Sequence, residues 1–216
     1  MAIHSSAIID PSAVVHETAE IGPNVIIGPH AEIGEGCELM AGVVIGPRTR
    51  MGKRNRIHYH AVIGHEPQFV GFDRTLRTGV VMGDDNEIRE FAQIHRAIHE
   101  GNDTLIGNSN FVMATGHIAH DCVVGNNVVL ANNSALAGHV IVEDRVFISG
   151  LVAVHQFCRI GKGAMAGGHS GISRDVPPFM TVKGGIGFLA GVNLIGLRRA
   201  GVNGPARLAK IGRAHV

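Results

Sequence analysis

The chain has 216 residues, of which 30 are glycine, one is tyrosine and none is tryptophan. Lys and Arg total 19 against 18 Asp and Glu, so the net charge is only +1 and gives no basic footprint for nucleic acid. No N-terminal segment resembles a signal peptide, and no apolar run is long enough to span a bilayer. We therefore expect a cytoplasmic protein that neither binds nucleic acid nor crosses a membrane.

An aliphatic side chain recurs at every sixth residue. The first run is Ile3, Ile9, Val15, Ile21, Ile27, Ile33, Leu39, Ile45, Met51, Ile57 and Ile63, and the second extends from Ile106 to Ile160. A period of six fits neither a helix nor an alternating strand. It is typical of a hexapeptide β-helix, in which three six-residue steps complete one coil. The pattern predicts an all-β solenoid over residues 1–176.

The residue two places before each aliphatic residue is small, so both should point into the narrow bore. All three cysteines, Cys37, Cys122 and Cys158, occupy this small position. We expect them to be free, buried thiols of a reducing compartment. Glycine often follows the aliphatic residue and is expected near the corners of the coil, where the chain turns.

Two segments, at about 65–80 and 97–104, interrupt the six-residue period. Insertions into a solenoid emerge as surface loops, and loops on a rigid scaffold often carry binding residues. The first segment combines Gln68, Phe69, Phe72 and Asp73, which favours a functional role.

The repeat ends near Ile172, and the Pro177-Pro178 pair then excludes a regular ladder or a helix interior. Residues 191–201 could begin a helical tail, so residues 177–216 are predicted to be the remnant of a helical C-terminal domain. The last seven residues, 210–216, back-translate into the start of a common sequencing-library adapter followed by a stop. We therefore expect the natural chain to continue past about residue 209, which resequencing of the locus would test.

Residues 18 apart should stack on successive coils at about 4.8 Å. This rule places His120, Gly138 and Gln156 in one column, and it places Asp121 under His139 as a possible carboxylate–imidazole pair. Outward histidines could simply coat a surface. The four at positions 117, 120, 139 and 155 instead converge on one edge, which indicates a functional site.

Five motifs resemble the UDP-N-acetylglucosamine O-acyltransferase family of lipid A biosynthesis. They are HIAHD (117–121), LANNSALAGHV (130–140), AVHQFCRIG (153–161), DVPPF (175–179) and GVNLIGLRR (191–199). The resemblance extends from residue 1 to about 201. It implies a homotrimer of left-handed parallel β-helices that transfers a 3-hydroxyacyl chain from acyl carrier protein to the 3-hydroxyl of the UDP-sugar, without a cofactor or metal.

The resemblance also implies roles for individual residues. His120 would be the general base, Asp121 would orient it, and the Gly138 N–H would stabilise the oxyanion. The positions that match the substrate cleft are Gln68, His117, His139, His155, Gln156, Gly168, Asn193 and Arg199. Of these, Gly168 would measure acyl length, while Asn193 and Arg199 would lie near the diphosphate.

The chain departs from the family pattern at Phe69, where an acidic residue is usual, and at Ile195 and Ala200. A related UDP-sugar, even one that offers an amine, therefore stays open as the acceptor. The repeat is also compatible with a zinc enzyme of the γ-carbonic anhydrase type, a short-chain acetyl-CoA transferase and a scaffold without activity. Three convergent histidines would favour zinc, whereas the column of His120, Gly138 and Gln156 favours acyl transfer.

Overall fold

The chain forms a parallel β-helix, as the six-residue period predicts, and the helix is left-handed, as the resemblance implies. Its computed structural model describes residues 2–206. From Ala19 onward, the aliphatic residues of the repeat and their small partners are buried together in one continuous core. Burial of these side chains stabilises each coil, at roughly 25 cal/mol per Å² of apolar surface. At the N-terminal end, Ile8 and Val14 remain exposed.

Most strands contain only two residues, because each coil face is one hexapeptide long. Before the first loop the strands are β1 (Ala2–Ile3), β2 (Ile8–Ile9), β3 (Val14–Val15), β4 (Glu20–Ile21), β5 (Ile26–Ile27), β6 (Glu32–Ile33), β7 (Glu38–Leu39), β8 (Val44–Ile45), β9 (Arg50–Met51), β10 (Arg56–Ile57) and β11 (Val62–His65). Between the loops they are β12 (Gly79–Met82), β13 (Glu87–Ile88) and β14 (Gln93–His95). After the second loop they are β15 (Asp103–Ile106), β16 (Phe111–Val112), β17 (His117–Ile118), β18 (Val123–Val124), β19 (Val129–Leu130), β20 (Ala135–Leu136), β21 (Ile141–Val142), β22 (Phe147–Ile148), β23 (Ala153–Val154), β24 (Arg159–Ile160), β25 (Met165–Ala166), β26 (Gly171–Ile172), β27 (Met180–Lys183) and β28 (Phe188–Val192).

The strands stack into three sheets, one for each face of the coil. Within residues 2–206, sheet 1 runs from β1 through every third strand to β25 and then adds β27 and β28, sheet 2 runs from β2 to β26, and sheet 3 runs from β3 to β24. Paired residues are 18 apart, as in His117 with Ala135. Arg56 instead pairs with Glu87, 31 residues later, because the first loop adds residues to the coil. Both predicted interruptions are therefore surface loops: loop 1 comprises residues 66–78 and loop 2 comprises residues 96–102.

The predicted role of glycine at the corners needs correction. The left-handed turn falls three residues after the aliphatic position, where residues such as Asn24, His30 and Asp121 have φ between 55° and 58°. Asn and Asp tolerate this region better than most residues do. The glycine that follows the aliphatic residue is required for a different reason: a Cβ on Gly34 would overlap the backbone of Gly52 on the next coil.

The interior also contains polar residues at the small position. Asn86 N–H donates to Asn55 Oδ1 at 2.9 Å, and Asn110 N–H donates to Asn86 Oδ1 at 2.9 Å. These bonds satisfy buried polar groups and join successive coils. The cysteines are free and buried, as predicted. Burial raises the pKa of the Cys122 thiol to about 12, so this thiol is unreactive at neutral pH.

The repeat gives way to a different pairing after β26. Val176 makes one parallel bridge with Ile160, and β27 and β28 then form an antiparallel pair at the end of sheet 1. The predicted helical segment is α1 (Leu194–Arg199), which Asn193 caps. Within the part of the chain that the structure describes, no helix has the length and apolarity needed to cross a bilayer. The adapter-like residues 210–216 lie outside the described residues.

Candidate active site

The predicted catalytic residues lie at the corner between sheets 2 and 3. His139 N–H donates to His120 O at 3.1 Å, and Phe157 N–H donates to Gly138 O at 3.1 Å. These bonds join three successive coils, so His120, Gly138 and Gln156 stack in the column that the 18-residue rule predicts. The corner positions beside them, Asp121 and His139, have φ of 56° and 62°.

Asp121 is hydrogen-bonded to His120, whereas the stacking rule pairs it with His139. Asp121 Oδ2 lies 2.8 Å from His120 Nδ1 and also accepts the Ile98 N–H at 3.1 Å. The backbone N–H of Asp121 donates to Thr104 Oγ1 at 2.9 Å. The pairing from the stacking rule was wrong, whereas the contact with His120 agrees with the resemblance, because the left-handed turn directs the carboxylate back toward its neighbour in sequence and toward loop 2. His139 remains close, since one ring nitrogen of His120, one ring nitrogen of His139 and one carboxylate oxygen of Asp121 lie within 4.8 Å of one another.

This hydrogen bond assigns the tautomer of His120. An ionised carboxylate can only accept, so His120 Nδ1 carries the proton that it donates to Asp121. In the neutral ring, Nε2 then holds a lone pair. The His120 side chain is 14% exposed, and its ring makes edge contacts with His139 at 5.1 Å and Phe69 at 5.7 Å between centroids. The site therefore presents one basic nitrogen, held by a carboxylate on its other side.

Gly138 lies directly beside this nitrogen. A Cβ built on Gly138 would lie 2.6 Å from His120 Nε2, so any larger residue would displace the ring. Within residues 2–206, the N–H of Gly138 has no hydrogen-bond acceptor, although the residue is buried. Since buried backbone donors are nearly always paired, this N–H is available to a ligand. A basic nitrogen next to an unpaired N–H is suited to acyl transfer.

His139 and Phe157 continue the corner. Their rings are stacked, with centroids 4.7 Å apart and planes 7° from parallel. Burial lowers the pKa of His139, which favours the neutral imidazole. The pair forms a flat, largely uncharged wall along the column.

His117 lies on β17, on the same coil as the His120–Asp121 pair and three residues before His120. Its ring is 5.1 Å from that of His95, whose Nδ1 lies 2.7 Å from the carbonyl oxygen of Glu66. Burial, and to a smaller extent the nearby His95, lowers the pKa of His117 to about 4. At neutral pH His117 is therefore an uncharged hydrogen-bonding group.

This depressed pKa predicts a stability change at acid pH. The unfolded chain binds a proton at His117 near pH 6.5, whereas the folded chain does so only near pH 4. The stability is thus complete above pH 6.5 and is lost as the pH falls toward 4, by about 2 kcal/mol for a partly buried ring. Thermal unfolding of the wild type and His117→Gln between pH 4 and 7 should show a smaller loss in the variant. An equal loss of stability in the two proteins would contradict the depressed pKa of His117.

The remaining predicted residues divide into two groups. His155 and Gln156 are exposed one coil beyond Gly138, and Gln68 is exposed on loop 1 next to Phe69, so these three adjoin the catalytic corner. Gly168 lies on the corner between sheets 1 and 2, where an added Cβ would make an ordinary contact with Gly150 O at 3.4 Å. Asn193 and Arg199 lie beside the corner between sheets 3 and 1. A single chain therefore does not bring the second group to the base.

A cavity of about 440 Å³ adjoins Asn193 and Arg199. Its walls also include Arg145, Phe147, Met165 and Phe179, so it is apolar with two guanidinium groups at its edge. The Asn193 side chain is occupied: Oδ1 accepts the Gly196 N–H at 2.9 Å, and Nδ2 donates to Gly163 O at 2.9 Å. Asn193 shapes the cavity, while the arginines offer charge to an anion.

Sequence reasoning did not assign four further residues to these sites. Phe157 could have been found, because it is 18 residues after His139. Arg145 is 18 residues after Asn127, which also lines the cavity, but the sequence did not single out Asn127 either. Ile98 and His99 had no such signal, since loop 2 lies outside the repeat. The His99 ring is 6.1 Å from that of His139. The sequence identifies Phe69 as part of loop 1 and as a departure from the family pattern, but not as a neighbour of His120.

Comparisons with known proteins show which family the chain resembles. Residues 175–215 match a family model described as Udp N-acetylglucosamine O-acyltransferase, Domain 2, and residues 3–98 match the GMPPB C-terminal domain model. An acyl-[acyl-carrier-protein]--UDP-N-acetylglucosamine O-acyltransferase from Halorhodospira halophila is 49% identical over 99% of this chain and 82% of its own length. One of the same name from Gloeothece citriformis is 51% identical over 69% of this chain, and the match spans only 54% of that relative.

Solved structures show the same similarity over nearly the whole chain. The UDP-N-acetylglucosamine O-acyltransferase from Moraxella catarrhalis superposes with a TM-score of 0.94 at 40% identity, covering 98% of this chain and 82% of that one. The acyltransferase from Francisella novicida gives a TM-score of 0.93 at 39% identity, covering 96% and 77%. The protein is thus a member of the UDP-N-acetylglucosamine O-acyltransferase family.

Proposed function

We propose that this enzyme transfers a 3-hydroxyacyl chain from acyl carrier protein to the 3-hydroxyl of UDP-N-acetylglucosamine, the first step of lipid A biosynthesis. The observation that carries the proposal is the lone pair of His120 Nε2 beside the unpaired N–H of Gly138. The names of the relatives supply the donor and the acceptor. They favour acyl transfer from a carrier protein over a carbonic anhydrase, an acetyl-CoA transferase or a scaffold.

The reaction uses one residue as base and then as acid. His120 Nε2 removes the proton of the sugar hydroxyl as its oxygen attacks the thioester carbonyl carbon. Asp121 stabilises the imidazolium that forms, and the Gly138 N–H donates to the oxyanion of the tetrahedral intermediate. When the intermediate collapses, the carbon–sulfur bond breaks and the imidazolium returns its proton to the carrier thiolate. The products are the ester and the free carrier thiol.

The substrate-binding residues extend this site in two directions. Gln68, His117, His139, His155 and Gln156 are proposed to line the cleft for the sugar and the acyl chain. Arg199 is proposed to contact the diphosphate, with Asn193 shaping that region, and Gly168 to leave the acyl groove open for a longer chain.

We propose a homotrimer, because the second group of residues lies at other corners of the chain. The outer face of sheet 2 supports this assembly: Ile8, Ile26, Val44 and Val62 form an uncharged column there. In sheet 1 the corresponding column contains Glu20, Glu38 and Arg56. An uncharged, partly apolar face is typical of a contact surface between subunits.

We also propose the domain organisation and compartment that the sequence suggests. Residues 1–176 form the catalytic β-helix, β27 and β28 extend its sheet 1, and α1 begins a C-terminal helical domain. A cytoplasmic location agrees with three buried free thiols.

The test is an acyl-transfer assay with 3-hydroxyacyl carrier proteins of several chain lengths. UDP-N-acetylglucosamine and an analogue with an amine at the sugar 3-position should be compared as acceptors, with product masses measured. We expect ester formation with the hydroxyl acceptor. Turnover with the amine alone would support the related UDP-sugar as acceptor, and turnover with neither would contradict the proposal. Light scattering of the purified protein should give the mass of three chains.

Substitution of Gly138 tests the space beside the base. We expect Gly138→Ala to lower kcat by about 10- to 100-fold, because the new Cβ would push the His120 ring from its position near the oxyanion donor. Gly150→Ala is the matched control: Gly150 has the same repeat position on another corner, and its Cβ would contact only Asn132 O at 3.3 Å. Equal kcat values for the two variants would contradict the proposed role.

A further inference from the structure

One buried cation joins the two loops that flank the base. The Arg96 side chain lies at the start of loop 2 and is almost fully buried, at 5% exposure. Its Nη1 donates to the carbonyl oxygen of Leu76 on loop 1 at 3.1 Å. Its guanidinium carbon lies 4.9 Å from the centroid of the Phe72 ring, also on loop 1. Arg96 therefore binds loop 1 through one hydrogen bond and one cation–π contact.

The environment of Arg96 is unusual for a buried charge. Among residues 2–206 no carboxylate forms an ion pair with it, and its Nε has no hydrogen-bond partner. Burial lowers the pKa of Arg96, and the nearby charge of Glu66 opposes this shift only in part, so the loop contacts help to offset the cost of burying the cation. A guanidinium suits this position because its flat face can stack on an aromatic ring while its edge donates, which an ammonium group cannot do.

Both loops contact the His120–Asp121 pair. From loop 1, the edge of the Phe69 ring meets the His120 ring at an interplanar angle of 75°. From loop 2, the Ile98 N–H donates to Asp121 Oδ2 at 3.1 Å. Displacement of either loop would alter the surroundings of the base, and Arg96 contacts one loop while belonging to the other.

Phe69 also remains accessible to a ligand beside the base. About half of its surface is exposed although it touches the His120 ring. An exposed aromatic ring at the mouth of a catalytic corner can cover the apolar face of a bound sugar and exclude water from the base. It offers no hydrogen bond to the sugar, so it selects by shape and apolar contact.

We propose that Arg96 is a positioning residue that holds loop 1 against the base, and that Phe69, which this loop carries, is a specificity-determining wall of the acceptor site. This inference rests on the proposed function, because it takes His120 as the base for the sugar hydroxyl. It adds two residues that act on acceptor binding without touching the acyl donor.

The experiment compares Arg96→Met, Phe69→Ala and the control Arg74→Met. Arg74 is on loop 1, as Phe69 is. Its side chain is exposed, and its Nε lies 3.0 Å from Glu66 Oε2. Initial rates should be measured with the acceptor and the acyl donor varied separately. We expect Arg96→Met and Phe69→Ala to raise KM for the UDP-sugar about tenfold with little change for the donor. The KM values of the control Arg74→Met should remain within twofold of those of the wild type.

Two readouts do not depend on activity. Hydrogen exchange of residues 66–78 should accelerate in Arg96→Met and stay unchanged in Phe69→Ala. The ring resonances of His120 should shift in both variants, because both remove the Phe69 ring from its contact. The KM of the double variant for the UDP-sugar should be no higher than that of Arg96→Met, since both changes act through the same contact. If Arg96→Met fails to fold, Arg96→Lys keeps the charge, loses the stacking geometry and should show the same changes to a smaller extent.

The outcomes separate this inference from the proposed function. A wild type without acyl transfer would contradict the proposed function, while exchange and resonance shifts would still test whether Arg96 positions the loop. Unchanged exchange in Arg96→Met, or additive effects in the double variant, would overturn the positioning role. An unchanged acceptor KM in Phe69→Ala, with a normal wild type, would overturn the specificity role.

Discussion

Replacement of His120 by alanine should lower kcat of acyl transfer by about 10³-fold, within the range usual for removal of a general base. The reason is that, among the residues that the structure describes, no other basic nitrogen lies in the same position: the His139 ring is 5.1 Å from the His120 ring and stacks on Phe157. The loss of folding stability should be small, because the His120 side chain is partly exposed and its main partner is the adjacent Asp121. Steady-state rates and light scattering of the same sample should show a slow enzyme of unchanged mass.

His30→Asn is the control for this experiment. His30 is an exposed histidine at the same corner as the base but four coils earlier, and asparagine tolerates its φ of 58°. Its turnover should equal that of the wild type. Full activity in His120→Ala would contradict the assignment of the base, and a change in mass would instead indicate a structural role.

Replacement of Asp121 by asparagine should lower kcat by about 10²- to 10³-fold while the protein stays folded. Asparagine has nearly the same shape and tolerates the left-handed φ of 56°. It removes the negative charge that supports the imidazolium, and its NH₂ group allows the ring to adopt the tautomer with the proton on Nε2. The loss should appear in kcat with little effect on either KM, since Asp121 does not face the substrates.

Asp85→Asn is the matched control, because Asp85 is also an aspartate at a corner with φ of 58° and pairs with Arg54 at 2.7 Å. This exposed pair is far from the base, and exposed ion pairs contribute little to stability. Asp85→Asn should retain full activity. If both variants kept wild-type kcat, the carboxylate of Asp121 would have no part in catalysis.

The interruptions of the repeat show how far sequence reasoning reached. The period of six located both loops, and loop 1 was expected to be functional from its composition. Their contacts were not predictable, because a loop has no repeating partner from which a position can be calculated. The hydrogen bond from Ile98 to Asp121 and the contact of Arg96 with Phe72 follow from how the loops fold onto the corner.

By itself, the sequence determined the solenoid, its 18-residue register, the buried cysteines and the column of His120, Gly138 and Gln156. These follow from a regular repeat, in which each side chain alternates in or out and each coil stacks on the last. Only the tertiary structure decided that Asp121 bonds to His120, that Gly138 leaves its N–H free, and that Asn193 and Arg199 lie at a different corner. The physical reason is that turn dihedrals and loop packing direct individual side chains and N–H groups, and a six-residue period contains no information about either.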